Sequence, residues 1–518
     1  MTTSNTSNCN FQEWTDDIER ARSMLGIQGL SVAVVHQEKI IYAQGFGKRN
    51  DTEPFTPEAS EQELMTPTLS HIGSMTKAIT AATIGELIAE NKARWDVPVS
   101  EYLPEFQLKD PRLTKEITFI DLLAHRTGYP RLDLEWWLRP ESRLELIKLL
   151  RHVDPQVPLR SDFIYNNHMY AAAGEAASRI AGTSYEDVVL EKVLYPLSMK
   201  DSGFTLAEMM RRPNHALSYH CKSFEAAQKG ETYRLVVNGI PESLIPAGDI
   251  YSNVLDLARW ARAVMHEGCL DGQQVLHKKT VEEMTTAWNL DNRKPSSTDF
   301  SIAAYGLGWE LMHYKGRQTW CHTGGSPGYR SNIVLFPSDD LAVICLANNS
   351  ISGLVSWIPH YIADRVLGLP TTKNWLFDVA VDRARNEYKD IDPAEDEKHL
   401  PPQVNDKPTT RELKDFVGDY THSYAPPLTI QTLTDKQGKA SLVFKIFSFE
   451  GTLVHYHYDS FRLQVVDDKE PMLALLTFVA GDNGSIQQCR MLIEDRTHIY
   501  SKVEPSAMAF DGSLSKEE

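Results

Sequence analysis

A serine and a lysine stand three residues apart in the stretch Gly73–Lys77. If this stretch begins a helix, residues three apart lie on one face, so the amine of Lys77 can reach the hydroxyl of Ser74. A serine is a weak nucleophile until a base takes its proton, and a lysine that loses its hydration can be that base. The two side chains therefore have the chemistry of a nucleophile and its base.

The residues that follow, 78–88, are apolar or small almost without exception, which predicts a buried helix. Burial disfavours the charged form of an amine, so we expect a lowered pKa for Lys77. Spacing alone is not specific, because Ser513-Leu514-Ser515-Lys516 repeats it in a polar tail without a core around it. Ser74 therefore needs partners elsewhere in the chain.

A second cluster is Tyr165-Asn166-Asn167, which precedes the helical pattern of residues 168–180. A tyrosine close to a helix N-terminus lies near a positive dipole end, which can favour its phenolate. Such a group could take or relay a proton. The alternative for an isolated Tyr-x-Asn is a surface turn with a packed tyrosine.

A third cluster, His322-Thr323-Gly324-Gly325, lies between a strand pattern over 316–322 and another over 332–336. Glycines at a strand end let a substrate carbonyl approach the backbone closely. An exposed N–H group there can form half of an oxyanion hole. A glycine-rich hairpin turn without any catalytic role is the alternative.

Several elements must position these clusters. Residues 14–26 resemble a short amphipathic helix, and runs 30–35 and 39–47 predict an antiparallel hairpin. Residues 74–380 are mostly helical, with strand patterns over 305–311 and 316–347. We therefore predict an α+β domain over 10–382, in which the two terminal segments share one sheet.

The composition changes after this domain. Residues 383–411 are charged and proline-containing, which indicates a linker. Residues 412–504 alternate short β-rich runs with turns, which predicts a small antiparallel barrel or sandwich. Residues 505–518 are typical of a disordered tail.

Composition excludes several classes of partner. The net charge of −17 over 518 residues disfavours nucleic acid and anionic membrane surfaces. The N-terminus has no secretory pattern, and no apolar run approaches the roughly 20 residues of a membrane helix. The cysteines are scattered without metal-type spacing, which is typical of reduced thiols in a cytoplasmic protein. The oligomeric state stays open.

Taken together and in this order, the three clusters resemble the serine beta-lactamase and penicillin-binding group. The resemblance covers roughly residues 14–370 and is closest to the class C-related branch of esterases, D-aminopeptidases and statin-type acyltransferases. Lesser matches run through the same region: Leu122–Tyr129, Tyr195–Phe204, Pro246–Ser252, Tyr305–Trp309 and Leu346–Asn349. The segment Phe416–Tyr420 opens a tail that is similar to a lipocalin-like extension.

The resemblance implies a beta-lactamase/transpeptidase-like fold and a role for each cluster. Ser74 would be the acylated nucleophile, Lys77 its proton acceptor and Tyr165 the general base or relay. The backbone N–H groups of Ser74 and Gly325 would form the oxyanion hole. The resemblance also implies that Asn167 forms a hydrogen bond with Lys77 or with the substrate amide. His322, on an edge strand, and Gly324, at the end of that strand, would line the substrate-binding site.

One position in this sequence departs from the pattern of the family, and this difference affects the expected substrate. Members of the group that handle antibiotics carry lysine at the position of His322. A permanent ammonium helps to hold a substrate carboxylate, whereas histidine is largely neutral at pH 7. Penicillin-like substrates are therefore not expected, and histidine here resembles the D-aminopeptidase and esterase members.

Three rival interpretations remain open. Gly324–Gly328 fits the Gly-x-Ser-x-Gly nucleophile elbow around Ser326, but a strand rather than a helix is predicted to follow it. Many histidines raise the possibility of a metal hydrolase, although none has His-Glu-x-x-His spacing. A catalytically inactive binding module is the third interpretation.

The sequence thus predicts hydrolysis of an ester or amide through a Ser74 acyl-enzyme, without a metal or organic cofactor. The alternatives are transfer of an acyl group from a thioester or ester to a small alcohol or amine, and D-aminopeptidase activity. Residues 132–139, with Trp136 and Trp137, are predicted to border the site.

Overall fold

The computed structural model describes residues 10–503 apart from 51–62, 134–141, 236–240, 296, 352, 391–399, 435–437, 439, 448, 466–473 and 494–495. The described residues form two compact units, of which the first extends to Lys389 and the second begins at Asp390. The predicted tail 505–518, most of the insertion 132–139 and the repeated pattern at Ser513 lie outside the described residues.

An eight-stranded sheet organises the first unit. The strands of this unit, numbered in chain order, are β1 Gly29–His36, β2 Lys39–Gly47, β3 Ser70–His71, β4 Gly203–Phe204, β5 Tyr219–His220, β6 Tyr233–Arg234, β7 Ile250–Ser252, β8 Cys269–Leu270, β9 Gln273–Gln274, β10 Asn289–Asp291, β11 Ala303–Tyr305, β12 Glu310–Tyr314, β13 Arg317–Ser326, β14 Tyr329–Phe336 and β15 Leu341–Ala347. The sheet has the order β10-β11-β12-β13-β14-β15-β1-β2. The strands β1 and β2 pair as the predicted hairpin, and β1 also pairs antiparallel with β15. The predicted sharing of one sheet by the two terminal segments is therefore confirmed.

Helices make up much of the chain between β2 and β10, as predicted, and further helices flank the sheet segments. The α-helices are Phe11–Met24, Thr76–Ala89, Pro111–Thr114, Phe119–Leu123, Arg143–Lys148, Asn167–Ala181, Tyr185–Val189, Leu206–Met209, Phe224–Gln228, Ile245–Gly248, Val254–Met265, Lys278–Met284, Gly353–Val366 and Ala380–Asp390.

The helix Thr76–Ala89 is the buried centre of the helical region. Its side chains from Thr76 to Leu87 are buried, as its apolar and small composition predicts. It contacts the helices Asn167–Ala181 and Lys278–Met284. Gly85 allows the second approach, because a Cβ atom there would overlap the side chain of Thr280. A short 3₁₀ turn, Gly73–Met75, leads into this helix and carries Ser74.

The second unit is a closed barrel, which resolves the choice between barrel and sandwich. Aromatic rings fill its interior: the Phe416 ring lies 4.9 Å from that of Phe478 and 5.3 Å from that of Phe461. Each described strand of the barrel pairs with a neighbour on both sides, as closure requires. Its strands are β16 Gly418–Thr421, β17 Leu428–Thr434, β18 Ala440–Ile446, β19 Phe449–His457, β20 Ser460–Val465, β21 Ala474–Ala480, β22 Ile486–Ile493 and β23 Arg496–Lys502.

The predicted linker over 383–411 begins too early. Residues up to Asp390 belong to the helix Ala380–Asp390, in which Ala384 and Tyr388 are buried four residues apart. Arg383 donates to Glu387 one turn along the exposed face at 2.7 Å. The charged residues within 382–387 are therefore the solvated face of an amphipathic helix, whereas residues 391–399 of the predicted linker lie outside the described residues.

The strand β13 packs against the turn Gly73–Met75, and two neighbouring glycines of this strand differ in the space around them. A Cβ atom on Gly324 would overlap the carbonyl oxygen of Ile72 and the hydroxyl of Ser331, so Gly324→Ala forces the backbones apart. A Cβ atom on Gly325 would meet only Arg330, at an ordinary 3.4 Å. We expect Gly324→Ala to lower the free energy of unfolding of the first unit by about 3 kcal/mol.

Gly325→Ala is the matched control and should change that free energy by less than about 1 kcal/mol. Denaturant unfolding followed by tryptophan fluorescence measures both, since Trp14, Trp260 and Trp309 are buried in the first unit. Equal destabilisation by the two variants would contradict the described packing of β13.

Candidate active site

Ser74 lies in a turn that is held from two sides. The carbonyl oxygen of Ile72 accepts a hydrogen bond from the Ser331 hydroxyl at 2.7 Å, and the Ile72 N–H donates to the carbonyl of Ile250 at 3.0 Å. Gly73 has a φ of +53°, a conformation that glycine adopts without strain. Ser74 itself is partly exposed between buried neighbours. The turn therefore presents one hydroxyl to solvent from a fixed backbone.

Lys77 is completely buried, and its Nζ atom lies 3.2 Å from the Ser74 Oγ atom. The same Nζ atom donates to the carbonyl oxygen of Ala247 at 2.7 Å. Burial lowers the pKa of Lys77 well below its usual value of 10.5, and the nearby charge of Arg131 lowers it further. A buried amine with a lowered pKa can accept the serine proton at neutral pH.

Tyr165 lies on the other side of the pair. The Lys77 Nζ atom is 4.6 Å from the centre of the Tyr165 ring, and the phenol is close enough to Ser74 for the serine hydroxyl to affect its pKa. Burial raises the pKa of Tyr165 well above 10, although the Ser74 hydroxyl and the Arg131 charge oppose this effect. The direction is opposite to the one expected from a helix N-terminus, because loss of hydration outweighs the dipole. Tyr165 is therefore a neutral phenol that can relay a proton.

His322 is buried on β13 and has two partners. Its Nε2 atom lies 2.8 Å from the Tyr305 hydroxyl, and its Nδ1 atom lies 2.6 Å from the Thr323 carbonyl oxygen. Burial lowers the pKa of His322 to about 3, and the charge of Lys77 acts in the same direction. The ring is therefore neutral in neutral solution and carries no permanent positive charge.

The prediction that His322 lies on an edge strand is wrong for β13 as a whole, because β12 pairs with it. That pairing ends, however, at the partners Glu310 and Cys321. Within the described part of the chain, residues 322–326 pair with β14 alone. In the described structure, the edge of β13 that faces β12 is therefore unpaired only where the strand passes the site.

Gly325 lies directly against the turn that carries the serine. A Cβ atom on Gly73 would lie 2.6 Å from the Gly325 nitrogen. The backbone of Gly325 is exposed, whereas that of Gly324 is packed against Ile72. The amide groups of Ser74 and Gly325 are therefore near neighbours, as an oxyanion hole requires.

Asn167 is the first residue of the helix Asn167–Ala181 and is partly exposed. The hydrogen bonds of the Lys77 amine go to Ser74 and Ala247 rather than to Asn167, and the alternative for Asn167, a hydrogen bond to the substrate amide, stays a prediction. The neighbouring Asn166 is the buried one: its side-chain oxygen caps the helix by accepting from the Met169 N–H at 3.2 Å. Its backbone N–H donates to the Nδ1 atom of His125 at 3.0 Å.

Ser326 does not have the setting of a nucleophile elbow. It ends β13, and β14 follows from Tyr329 in an antiparallel hairpin. An elbow needs a helix after the serine. Within the ranges that the structure describes, no group of three or more His, Cys, Asp or Glu side chains could hold a metal ion, and no helix is long and apolar enough to cross a membrane.

A family model described as Beta-lactamase matches residues 15–355, more than half of the chain. The chain belongs to the beta-lactamase family. Every predicted site residue lies within the matched range. A second model, described as a domain of unknown function (DUF3471), matches residues 402–505, which include the barrel.

Relatives in the beta-lactamase family are distant. The chain is 26% identical over 444 residues to an unguisins hydrolase of Aspergillus campestris (strain IBT 28561), a match that covers 81% of this chain and 77% of the relative. It is 21% identical over 355 residues to a beta-lactamase of Escherichia coli (strain K12), covering 62% of this chain and 85% of that protein.

The fold also matches a solved member of the wider group. The octameric penicillin-binding protein homologue from Pyrococcus abyssi has a TM-score of 0.58 and 22% identity, covering 95% of this chain and 100% of that chain. The predicted beta-lactamase/transpeptidase-like fold is thereby confirmed.

Sequence reasoning missed an aromatic cage around the site of this family member. The His125 ring centre lies 4.3 Å from that of Tyr165, 5.2 Å from that of Tyr170 and 5.0 Å from that of Tyr305. Burial, helped by the charge of Lys77, lowers the pKa of His125 well below 6.5. The segments that contain His125 and Tyr305 both carry the family resemblance, but their spacing in the sequence does not indicate that the two side chains are in contact.

The state of Lys77 predicts a pH profile. Acylation of Ser74 should rise with pH as Lys77 loses its proton and should reach a plateau well below pH 10.5, because burial lowers the pKa of the amine. His322, with a pKa of about 3, should add no step between pH 5 and 9. The rate of labelling by a fluorophosphonate, followed by mass spectrometry, measures the profile.

Lys77→Arg is the matching variant, since a guanidinium keeps the charge but cannot lose its proton. It should slow labelling about 100- to 10,000-fold, the range of general-base catalysis. A wild-type rate that is still climbing at pH 10 would contradict the assignment of Lys77 as base.

Proposed function

We propose that this protein is a serine hydrolase that opens an ester or amide through an acyl-enzyme on Ser74. The observation that carries the proposal is the 3.2 Å separation between the Ser74 Oγ atom and the amine of a fully buried Lys77. Membership of the beta-lactamase family is consistent with this chemistry. A purely structural lysine would keep its ammonium in water.

In the first step, Lys77 takes the hydroxyl proton while the Ser74 oxygen bonds to the substrate carbonyl carbon. The carbonyl oxygen becomes an oxyanion, which the N–H groups of Ser74 and Gly325 stabilise. Collapse breaks the bond to the leaving group, which receives a proton from the Lys77 ammonium through the neutral phenol of Tyr165. Water then attacks the ester of Ser74 and releases the acid, with the same groups moving the protons.

The neutral His322 limits the substrates. A substrate carboxylate gains little from an uncharged imidazole at a position where an ammonium would attract it strongly. We therefore propose that beta-lactams are poor substrates. The free edge of residues 322–326 suits a substrate with an extended, amide-containing backbone, which can pair with exposed strand groups. One relative is named an unguisins hydrolase, so unguisins belong among the compounds to be tested.

Acyl transfer to a small alcohol or amine is the second candidate, and a D-aminopeptidase is the third. Both reactions use the same nucleophile and base. In acyl transfer an alcohol or amine attacks the acyl-enzyme, whereas in a D-aminopeptidase water attacks it. A panel of p-nitrophenyl esters, D-amino-acid amides, unguisins and acyl thioesters with an alcohol acceptor separates them. Rapid turnover of a chromogenic cephalosporin would contradict the substrate limit drawn from His322.

Labelling identifies the nucleophile. A fluorophosphonate should add to Ser74 in the folded wild-type protein, and Ser74→Ala should remove the adduct, because the phosphonate needs an activated hydroxyl. Peptide mapping by mass spectrometry locates the label. Ser513→Ala is the matched control, since Ser513 stands in the same Ser-x-x-Lys spacing, and it should leave labelling unchanged.

An adduct that persists in Ser74→Ala but disappears in Ser326→Ala would overturn the assignment in favour of the hairpin serine. Absence of any adduct in folded wild-type protein would favour a binding module.

Chelation separates serine from metal hydrolysis. Prolonged dialysis against EDTA or 1,10-phenanthroline should leave ester turnover within about twofold of its starting rate, because the proposed mechanism needs no metal as Lewis acid. Turnover is measured before and after dialysis and again after adding Zn²⁺. Activity lost on dialysis and restored by Zn²⁺ would revive the metal hydrolase.

A further inference from the structure

The two backbone N–H groups on either side of Tyr165 have the same partner, His125. The Ile164 N–H donates to the His125 carbonyl oxygen at 3.0 Å, and the Asn166 N–H donates to the His125 Nδ1 atom, also at 3.0 Å. The His125 ring centre lies 4.3 Å from the Tyr165 ring centre. One residue therefore contacts the backbone before Tyr165, the backbone after it and its ring.

The protonation of His125 follows from its partner. A backbone N–H can only donate a hydrogen bond, so the Nδ1 atom that accepts from Asn166 carries no hydrogen. The ring is therefore the neutral tautomer with its hydrogen on Nε2. Burial, which lowers the pKa of His125 well below 6.5, maintains this form in neutral solution. Within the described part of the chain the buried Nε2 atom has no hydrogen-bond partner, so the bond from Asn166 is the one that orients the ring.

The loop that carries His125 is anchored without the help of Tyr165. The φ of His125 is +54°, a value that residues with a side chain adopt rarely and keep where neighbouring contacts enforce it. The Asn289 side chain donates to the carbonyl oxygens of Ala124 at 3.1 Å and of His125 at 3.3 Å. Next in the chain, Arg126 donates to the buried carboxylate of Asp121 at 2.7 Å. His125 is thus a fixed support for the segment that contains the tyrosine.

We infer that His125 is the positioning residue of Tyr165 and holds its phenol where it can pass a proton between Lys77 and the leaving group. This inference rests on the proposed Ser74 acyl-enzyme, in which Tyr165 relays that proton. Proton transfer needs heavy atoms within hydrogen-bond reach, and a displacement of about 1 Å can cost about 100-fold in rate. His125 acts through Tyr165 and does not itself accept or donate the transferred proton.

The leaving group distinguishes positioning from a structural role. p-Nitrophenolate is stable as an anion in neutral solution and needs no proton when it departs, whereas an alkoxide must be protonated as it leaves. A displaced Tyr165 should therefore slow the ester of an ordinary alcohol far more than the p-nitrophenyl ester of the same acid. Loss of folded protein, or of Ser74 reactivity, slows both esters alike.

Two variants of His125 test the inference on the full-length protein, with p-nitrophenyl butyrate and benzyl butyrate as probes. His125→Asn places an amide oxygen where Nδ1 lies, so it can still accept from Asn166, and asparagine tolerates the left-handed backbone. His125→Gln carries its amide one carbon further out and loses that acceptor. We expect His125→Gln to lower kcat/KM for the benzyl ester about 10- to 100-fold more than for the p-nitrophenyl ester. His125→Asn should keep the ratio of the two kcat/KM values within about threefold of the wild-type ratio.

Tyr165→Phe is the reference for these variants, because it removes the relay itself. It should reproduce the selective loss with the benzyl ester, and adding His125→Gln to it should change the ratio by less than about twofold, since residues that act as one unit are not additive. His125→Ala also lacks the acceptor, should give the same selective loss, and serves where His125→Gln does not fold.

Three results would overturn the inference: equal loss with both esters in His125→Gln and His125→Ala, a loss that multiplies with that of Tyr165→Phe in the double variant, or a change of ratio in His125→Asn as large as that in His125→Gln. A wild-type ratio in Tyr165→Phe would instead overturn the proposed relay. Failure of both esters to acylate Ser74 in the wild-type protein would overturn the proposed function on which the inference rests.

Discussion

The site depends on one unfavourable interaction, the burial of the Lys77 amine. Removing an ammonium from water is costly, and the protein offers it one carbonyl oxygen, that of Ala247, and the hydroxyl of Ser74. The amine responds by giving up its proton more readily, and that response is what makes the serine reactive. The small and apolar residues of Thr76–Ala89, and the helices packed around it, are needed to maintain this burial.

The surrounding cage follows from the same constraint. Aromatic rings surround the amine, and among the described residues no carboxylate forms an ion pair with it, although the charge of Asp133 partly opposes the lowering of its pKa. The Lys77 Nζ atom lies 4.6 Å from the Tyr165 ring centre and 5.3 Å from that of Tyr170. Burial lowers the pKa of His125 and of His322, and protonation of Lys77 would lower both further, so both imidazoles stay neutral. The site therefore works with few net charges.

The local sequence pattern predicted the helices and strands, but it did not predict which side chains from distant parts of the chain are in contact at the site. The apolar run after Ser74, the β1–β2 hairpin and the barrel strands follow from periodicity and turn residues. The pairing of β1 with β15 was reachable too, because strand patterns at both ends of one domain need a common sheet. The contacts of His125 with Tyr165 and with Tyr305 join residues far apart in the chain, and no spacing encodes them. The helix Ala380–Asp390 was missed because its charged residues outnumber the three residues that it buries, Ala380, Ala384 and Tyr388.

The contact between β13 and the turn that carries Ser74 limits where residues can be inserted into this protein. Gly324 lies opposite Ser331 in the hairpin. Gly324 packs against the carbonyl oxygen of Ile72, and the Ser331 hydroxyl donates a hydrogen bond to the same oxygen. Moving one strand by a single residue would turn His322 to the opposite face and remove Ser331 from its carbonyl. The short loop between Ser326 and Tyr329 thus sets the alignment of the catalytic machinery, so new length can be added to this fold in many surface loops but not there.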